Sequence, residues 1–328
     1  MGLQTHDKRS GYLYSTYNIS GEMMMNNKII LQIDQLEKHF GKAKAVDGVS
    51  LTVKRGQIFG FLGPNGSGKT TTIGMVLGLL HPTAGKVTMF GESVSPSHTP
   101  PLRRVGALVG APAIVPYLSA RQNLELLAHL SPDLPPGRVD EILFIVNLND
   151  AANRRTGQFS TGMKQRLGIG MALLHEPELL ILDEPTNGMD PAGMREIRVL
   201  LSQLAEQKVT IFNSSHLLHE VEQICDQVAV LKKGKVVAEG NVKDLLGEQT
   251  IVRVRVNCPN TAARCLHSLS GVTNAQPNGA YVSVSGVSSQ EIVGHLTSNG
   301  IIPSEVSTGR PDLESIFLEV IDRNTMEV

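Results

Sequence analysis

The sequence predicts an α/β fold. Its core is a parallel sheet with helices, edged by an antiparallel β layer, interrupted by a helical insert and followed by a small C-terminal α+β module. Three observations predict it. Residues 63–70 read GPNGSGKT between a short apolar run and a stretch of helical period. Residues 179–186 read LLILDEPT, a Leu/Ile run that ends in two carboxylates. Strand-like and helix-like patterns alternate around both, the signature of crossover units.

Taken in order, residues 28–33 and 49–53 read as strands flanking a Gly41–Lys42 turn, which fits an antiparallel edge layer. The run 57–62 is apolar and short, as a buried strand is. Residues 70–80 place Ile73, Val76, Leu77 and Leu80 at helical spacing, and 86–90 read as another strand. A Pro/Ser stretch at 93–101 marks a loop. From about 105 to 176 the period is helical. Ser119 and Gln122 form a capping-box start for a helix running to Leu130, and further helices are expected over 137–148 and 163–174. Strands at 179–182 and 209–213 enclose a helix over 191–207, a crossover and hence a parallel pair. Residues 228–231 and 235–239 make a hairpin through Lys-Lys-Gly. The first domain, 28–247, ends near Gly247. The module over 250–328 carries strands at 250–257, 279–285 and 301–306 and helices at 260–269, 288–298 and 312–322. Residues 1–27 are polar, hold three of the five tyrosines, and read as a disordered extension.

The glycine run has the composition of a phosphate cradle. Gly63, Gly66 and Gly68 let backbone N–H groups turn inward where a side chain would block a phosphate. The nucleotide-binding set spans Gly63, Pro64, Asn65, Gly66, Ser67, Gly68, Lys69, Thr70 and Thr71. Lys69 supplies a point charge for the β- and γ-phosphates, the Thr70 hydroxyl can ligate Mg²⁺, and the following helix N-terminus favours an anion. At the end of the second run, Asp183 suits Mg²⁺ and Glu184 suits an attacking water. Together these describe a P-loop nucleotide triphosphatase that works with Mg²⁺.

Composition excludes other classes. A net charge of −1 and a pI near 6.8 give no basic field, so no nucleic acid partner is expected. There is no Trp, and the 4% aromatic content offers no stacking platform for single strands. Three cysteines without metal-ligand spacing suit free thiols. No apolar run reaches the roughly 18 residues a membrane helix needs. The start lacks an apolar signal core, and His6 breaks the myristoylation pattern that Met1-Gly2 opens.

Three more motifs complete a pattern: FSTGMKQR at 159–166, NGMDP at 187–191 and SSH at 214–216. With the cradle and the carboxylates, in this order and spacing, residues 28–247 resemble the nucleotide-binding subunit of an ABC transporter. The resemblance implies that Phe40 stacks on adenine, although a Phe closing a strand end would also serve as core. It implies that Ser160, Thr161 and Gly162 bind the γ-phosphate held by an opposite subunit, and that Asp190 crosses the dimer interface. Both Ser160 and Asp190 also suit ordinary helix N-caps. It implies that His216 contacts the γ-phosphate, giving a catalytic set of Glu184, His216 and Lys69 and a metal pair of Thr70 and Asp183. One position departs from the pattern. Where such subunits carry Gln or Glu after the strand leading into the insert, this chain has Gly110, which offers no side chain to a metal or water.

STGMKQRLGIGMALL and the C-terminal PDLESIFLEV resemble exporters of drugs, antibiotic peptides and polysaccharides. The resemblance therefore implies an ATPase that drives export through separate integral membrane (permease) subunits. It would be held peripherally at the cytoplasmic membrane face, as a homodimer or paired with a second ATP-binding subunit. The alternative is a soluble ABC-type ATPase or a regulatory subunit without a transport role. The docking surface for a membrane subunit is expected around residues 112–130, through Ile114, Val115 and Tyr117, unless these pack within the insert.

Overall fold

The computed structural model describes residues 29–131, 133–246 and 251–309. The expected N-terminal extension, the junction at Gly247 and the helix over 312–322 lie outside the described residues.

Three sheets organise the chain. The first is antiparallel and is ordered β2-β1-β4-β5, from β1 (Ile29–Phe40), β2 (Ala43–Lys54), β4 (Ala84–Met89) and β5 (Glu92–Val94). The Gly41–Lys42 turn joins β1 to β2 as the sequence indicates, but both strands run to 12 residues, well beyond their apolar cores.

The second sheet is central and is ordered β10-β9-β3-β8-β7-β6. Its strands are β3 (Ile58–Leu62), β6 (Val105–Val109), β7 (Leu179–Asp183), β8 (Thr210–Ser215), β9 (Gln227–Lys232) and β10 (Lys235–Asn241). All neighbours pair in parallel except β10, which turns back on β9 through Lys233 and Gly234, both at positive φ. That conformation is what a two-residue hairpin loop requires. Buried on both faces, β7 and β8 split their side chains between two cores. Leu180, Leu182 and Ile211 face one core. Leu179, Ile181 and Phe212 face the other, where Phe212 stacks on Phe59 at 5.6 Å and meets Phe61 at 5.4 Å.

Helix α1 (Lys69–Val76) follows β3 and packs into the core shared with the antiparallel layer. The opposite core takes α2 (Ala120–Ala128), α3 (Arg138–Ile145), α4 (Thr161–Leu173) and α5 (Pro191–Glu206). Helix α5 buries Ile197, Leu200, Leu201 and Leu204, one stripe at helical spacing. Helix α2 opens on the expected capping box, with Ser119 Oγ accepting from Gln122 N at 3.1 Å and Gln122 Oε1 accepting from Ser119 N at 2.9 Å. One boundary differs from the sequence reading. Residues 105–109 belong to the central sheet as its edge strand, so the helical part of the insert begins only at Ala120. Residues 105–109 are the strand that the family pattern places before Gly110, and only the lower bound given to the helical insert moves. Two short helices were not anticipated, α6 (Leu218–Ile224) and α7 (Val242–Leu246).

The third sheet is ordered β12-β13-β11-β14, from β11 (Ile251–Arg255), β12 (Asn274–Asn278), β13 (Tyr281–Ser285) and β14 (Glu305–Gly309). With α8 (Pro259–Leu266) and α9 (Ser289–Ser298) it forms a βαββαβ unit around its own apolar cluster. The strand expected over 279–285 is β13, the second arm of a hairpin with Gly279 at its turn. Its first arm, NAQPN, carries too little apolar patterning to be seen. The strand expected at 301–306 lies at 305–309.

Glu178 ties the antiparallel layer to the base of the central sheet. It sits between Arg55, before β3, and Arg104, before β6. Burial raises its affinity for a proton, but the hydrogen bonds from Arg104 and Arg55 outweigh this and hold the carboxyl below the usual range. Because the folded value lies below the unfolded one, the stabilisation is full above about pH 5 and is lost as pH falls through the folded value. Glu178→Gln is expected to cost about 1 kcal/mol at pH 7, allowing for solvent screening of a partly exposed carboxylate. In urea titrations the cost should shrink as pH falls through the folded value, whereas a cost that does not change with pH would contradict the ionic account.

Candidate functional site

Strand β3 is buried throughout and delivers the chain to Gly63 at the edge of the sheet. A Cβ on Gly63 would lie 2.3 Å from the Leu231 carbonyl oxygen and 2.6 Å from Ser67 Oγ, so only glycine fits. The loop is pinned from two sides. Gly63 N donates to Ser215 O at 3.2 Å. Gly234 N, at the tip of the β9–β10 hairpin, donates to Ser67 O at 2.8 Å, and Asp47 N donates to Gly234 O at 2.9 Å. The Asp47 carboxyl is held below its ordinary range by hydrogen bonds from Lys44 and Lys235. Pro64, Asn65 and Gly66 are exposed at the loop crest, and Ser67 is buried with no partner for its hydroxyl. Gly68, in the left-handed conformation, precedes the first residue of α1. Thr71 is half-buried one turn inside that helix.

Two acidic side chains close the site. Asp183, the last residue of β7, accepts from Ser214 Oγ at 2.6 Å and from Thr70 Oγ1 at 2.9 Å. Glu184 leaves the strand at φ 50°, an unusual conformation for a residue with a side chain, and its N–H donates to Ser214. That twist sets the Glu184 carboxylate 3.1 Å from Lys69 Nζ and 2.9 Å from His216 Nδ1. The carboxylate accepts, so His216 carries its proton on Nδ1. Lys69 is only 4% exposed and also donates to Gly63 O at 2.7 Å and Pro64 O at 3.2 Å. Five residues from three segments distant in sequence thus converge: Lys69, Thr70, Asp183, Glu184 and His216.

The other expected residues stand apart from this cluster. Ser160 caps α4 and accepts from Met163 N at 3.2 Å, with Thr161 exposed beside it. Asp190 caps α5 and accepts from Gly193 N at 2.8 Å, with Pro191 next. A Cβ on Gly162 would lie 3.1 Å from Met189 Cε, so the two caps adjoin. Among the described residues, no hydrogen bond or ion pair joins Ser160, Thr161, Gly162 or Asp190 to the cradle. Phe40 ends β1 with 52% of its surface exposed and Lys38 Nζ 5.2 Å from its ring centroid, so it is not a core residue. Gly110 stands at φ 66° with open space around it. No side chain reaches the carboxylates from that point, and any other residue there would be strained.

Sequence reasoning missed two supports. Ser214 bridges Asp183 and Glu184, yet it appeared only as a neighbour of His216. Gly234 clamps the cradle at Ser67, 167 positions away in the chain; the hairpin turn was legible, its contact with Ser67 was not.

Thr70 and Asp183 offer hard oxygen donors side by side, the chemistry that suits Mg²⁺. Among the described residues no cluster of three or more His, Cys, Asp or Glu could hold a metal alone. A cation here would therefore share its coordination with bound phosphate, which is how Mg²⁺ is usually held.

Residues 46–187 match the family described as ABC transporter. The chain is 48% identical over 211 residues to the bacitracin transport ATP-binding protein BcrA of Bacillus licheniformis, spanning 64% of this chain and 69% of that protein. It is 35% identical over 314 residues to the daunorubicin resistance ATP-binding protein DrrA3 of Streptomyces coeruleorubidus, spanning 90% and 98%. Among solved structures, it is similar to a dimeric ATP-binding cassette in a post-hydrolysis state with ADP and Pi. That match has a TM-score of 0.58 and 25% identity, and covers 65% of this chain and 99% of that one.

Proposed function

From a chain that belongs to the ABC transporter family, as an ATP-binding component of an ATP-driven transporter, we propose a subunit that hydrolyses Mg–ATP to power export through separate membrane subunits. The observation that carries the reading is the convergence of Lys69, Thr70, Asp183, Glu184 and His216. In this reading the cradle N–H groups and Lys69 hold the β- and γ-phosphates. Thr70 and Asp183 hold Mg²⁺, which when bound neutralises charge developing on the transferring phosphoryl oxygens. Glu184 takes a proton from the attacking water, and His216 orients Glu184 through Nδ1. Phe40, exposed at the end of β1, is assigned to stack on the base.

Ser160, Thr161, Gly162 and Asp190 are assigned to the nucleotide of an opposite subunit. Their caps adjoin each other and share no bond with their own chain's cradle, so one chain has half of each site. Glu184→Gln with ATP is expected to run as a dimer in light scattering and to return to monomer when ATP is removed. A persistent monomer at high concentration would sink the paired site.

The names of BcrA and DrrA3, bacitracin transport and daunorubicin resistance, support an antibiotic or drug as the cargo of the proposed export. No helix among the described residues is long and apolar enough to cross a membrane, so membrane attachment is assigned to partner subunits at the cytoplasmic face. The docking face lies on the insert, with a changed emphasis. Ile114 and Val115 are half-buried, Ile114 against the core, whereas Tyr117 and Leu130 are 72% and 77% exposed. Leu130 also borders a groove with Pro112, Leu127 and Met171. Cysteines at 117 and 130 should cross-link to a co-expressed membrane subunit. Intact assembly and turnover with no cross-link at either position would remove this face from consideration.

A further inference from the structure

Helix α6 carries the segment that follows His216, and the one local bond at its entry, Leu217 N donating to Ser215 Oγ at 3.0 Å, does not fix the helix itself. It has seven residues, its N-cap Leu217 makes no side-chain cap, and a helix this short is not stable alone. Tertiary contacts fix it: Leu218 and Ile224 pack on the core beside Val221, and two contacts set its position most closely. Val221 is fully buried against β3, where a Cβ on Gly60 would lie 2.5 Å from its Cγ1. Glu220, in the first turn and 7% exposed, forms an ion pair with Arg198 of α5. Only one of its carboxylate oxygens is used; Oε2 is buried without a partner. A buried carboxylate satisfied on one side is a poor stabiliser of a fold, because desolvation offsets most of the attraction. Its geometry is more informative. Arg198 lies on the helix that Asp190 caps, and Glu220 lies four residues beyond His216. The pair therefore bridges the segment holding one subunit's Glu184 orienter and the helix whose tip is assigned to the opposite nucleotide.

We propose that the Arg198–Glu220 pair is a positioning strut for ATP hydrolysis: it holds His216 on Glu184 and links that contact to the α5 helix bearing Asp190. The inference rests on the hydrolytic reading of the site above. Neither residue touches the cradle, so the strut acts on turnover and not on nucleotide affinity.

The test uses the full chain and Mg–ATP. Arg198→Met and Glu220→Gln are compared with wild type and with the reversed pair Arg198→Glu/Glu220→Arg. Steady-state kinetics, the affinity of a fluorescent ATP analogue and the thermal midpoint are recorded for each. Each single variant is expected to lose about tenfold or more in kcat, the scale on which small misplacements act. KM and analogue affinity should stay within about twofold, and the reversed pair should recover at least about a third of wild-type kcat. Undiminished kcat in a folded Arg198→Met overturns the strut. So does a loss of affinity in step with kcat, which would mark a merely structural role, or a folded reversed pair as slow as the single variants. Wild-type chain without Mg–ATP turnover would overturn the hydrolytic reading itself, and the strut with it; wild-type turnover beside undiminished variants overturns the strut alone.

Discussion

Lys69→Ala should leave a folded chain that no longer retains Mg–ATP. The ammonium is nearly fully buried and bonded to two cradle carbonyls and to Glu184, so its position is set before any nucleotide arrives. Charge-assisted contacts to phosphate are the strong ones, and this one requires little reorganisation. Its removal is expected to weaken ATP binding by about 100-fold, close to 2.7 kcal/mol. Fold stability should change much less, because Glu184 keeps His216 as a partner and lies at a partly open edge of the site. Titration calorimetry with a thermal midpoint measured alongside reads both quantities. Affinity within a few-fold of wild type would remove Lys69 from the phosphate site.

Glu184→Gln is expected to separate binding from turnover in the opposite sense. Glu184 lies 3.1 Å from Lys69 Nζ and so competes with phosphate for that ammonium. Glutamine keeps the shape and loses the charge, so ATP affinity should hold or rise by about a few-fold. Turnover should fall by about 10²–10⁴, the range for losing a general base. A drop in kcat without a rise in KM marks a group that acts on the water and not on the bound nucleotide. If both variants lost binding equally, the roles given to Lys69 and Glu184 would be wrong.

The structure also bears on the one departure from the family pattern. Gly110 follows the edge strand β6 at positive φ, with empty space around it. A side chain introduced there would have room and yet be strained, so the missing polar group is built into the backbone path as well as the residue type.

Much of this protein was legible in its sequence because the signals are local. A glycine loop between a buried run and a helical period can be read without a partner. So can a Leu/Ile run ending in Asp183–Glu184, the capping box at Ser119–Gln122, and Asp190 before Pro191. Each is set by backbone sterics or by groups a few residues apart. The strand NAQPN was harder, since an edge strand takes its hydrogen bonds from a distant neighbour and needs no strong pattern of its own. Tertiary structure alone decided what surrounds the site. Ser214 reaches Asp183 because β8 pairs with β7, Gly234 clamps Ser67 because β9 pairs with β3, and Arg198 meets Glu220 because α5 and α6 lie against the same face of one sheet. The sequence by itself determined which chemistry the chain carries, since that depends on residue type and short spacing. Which groups hold that chemistry in place was decided by the packing of segments far apart in the chain, for which short-range order carries no record.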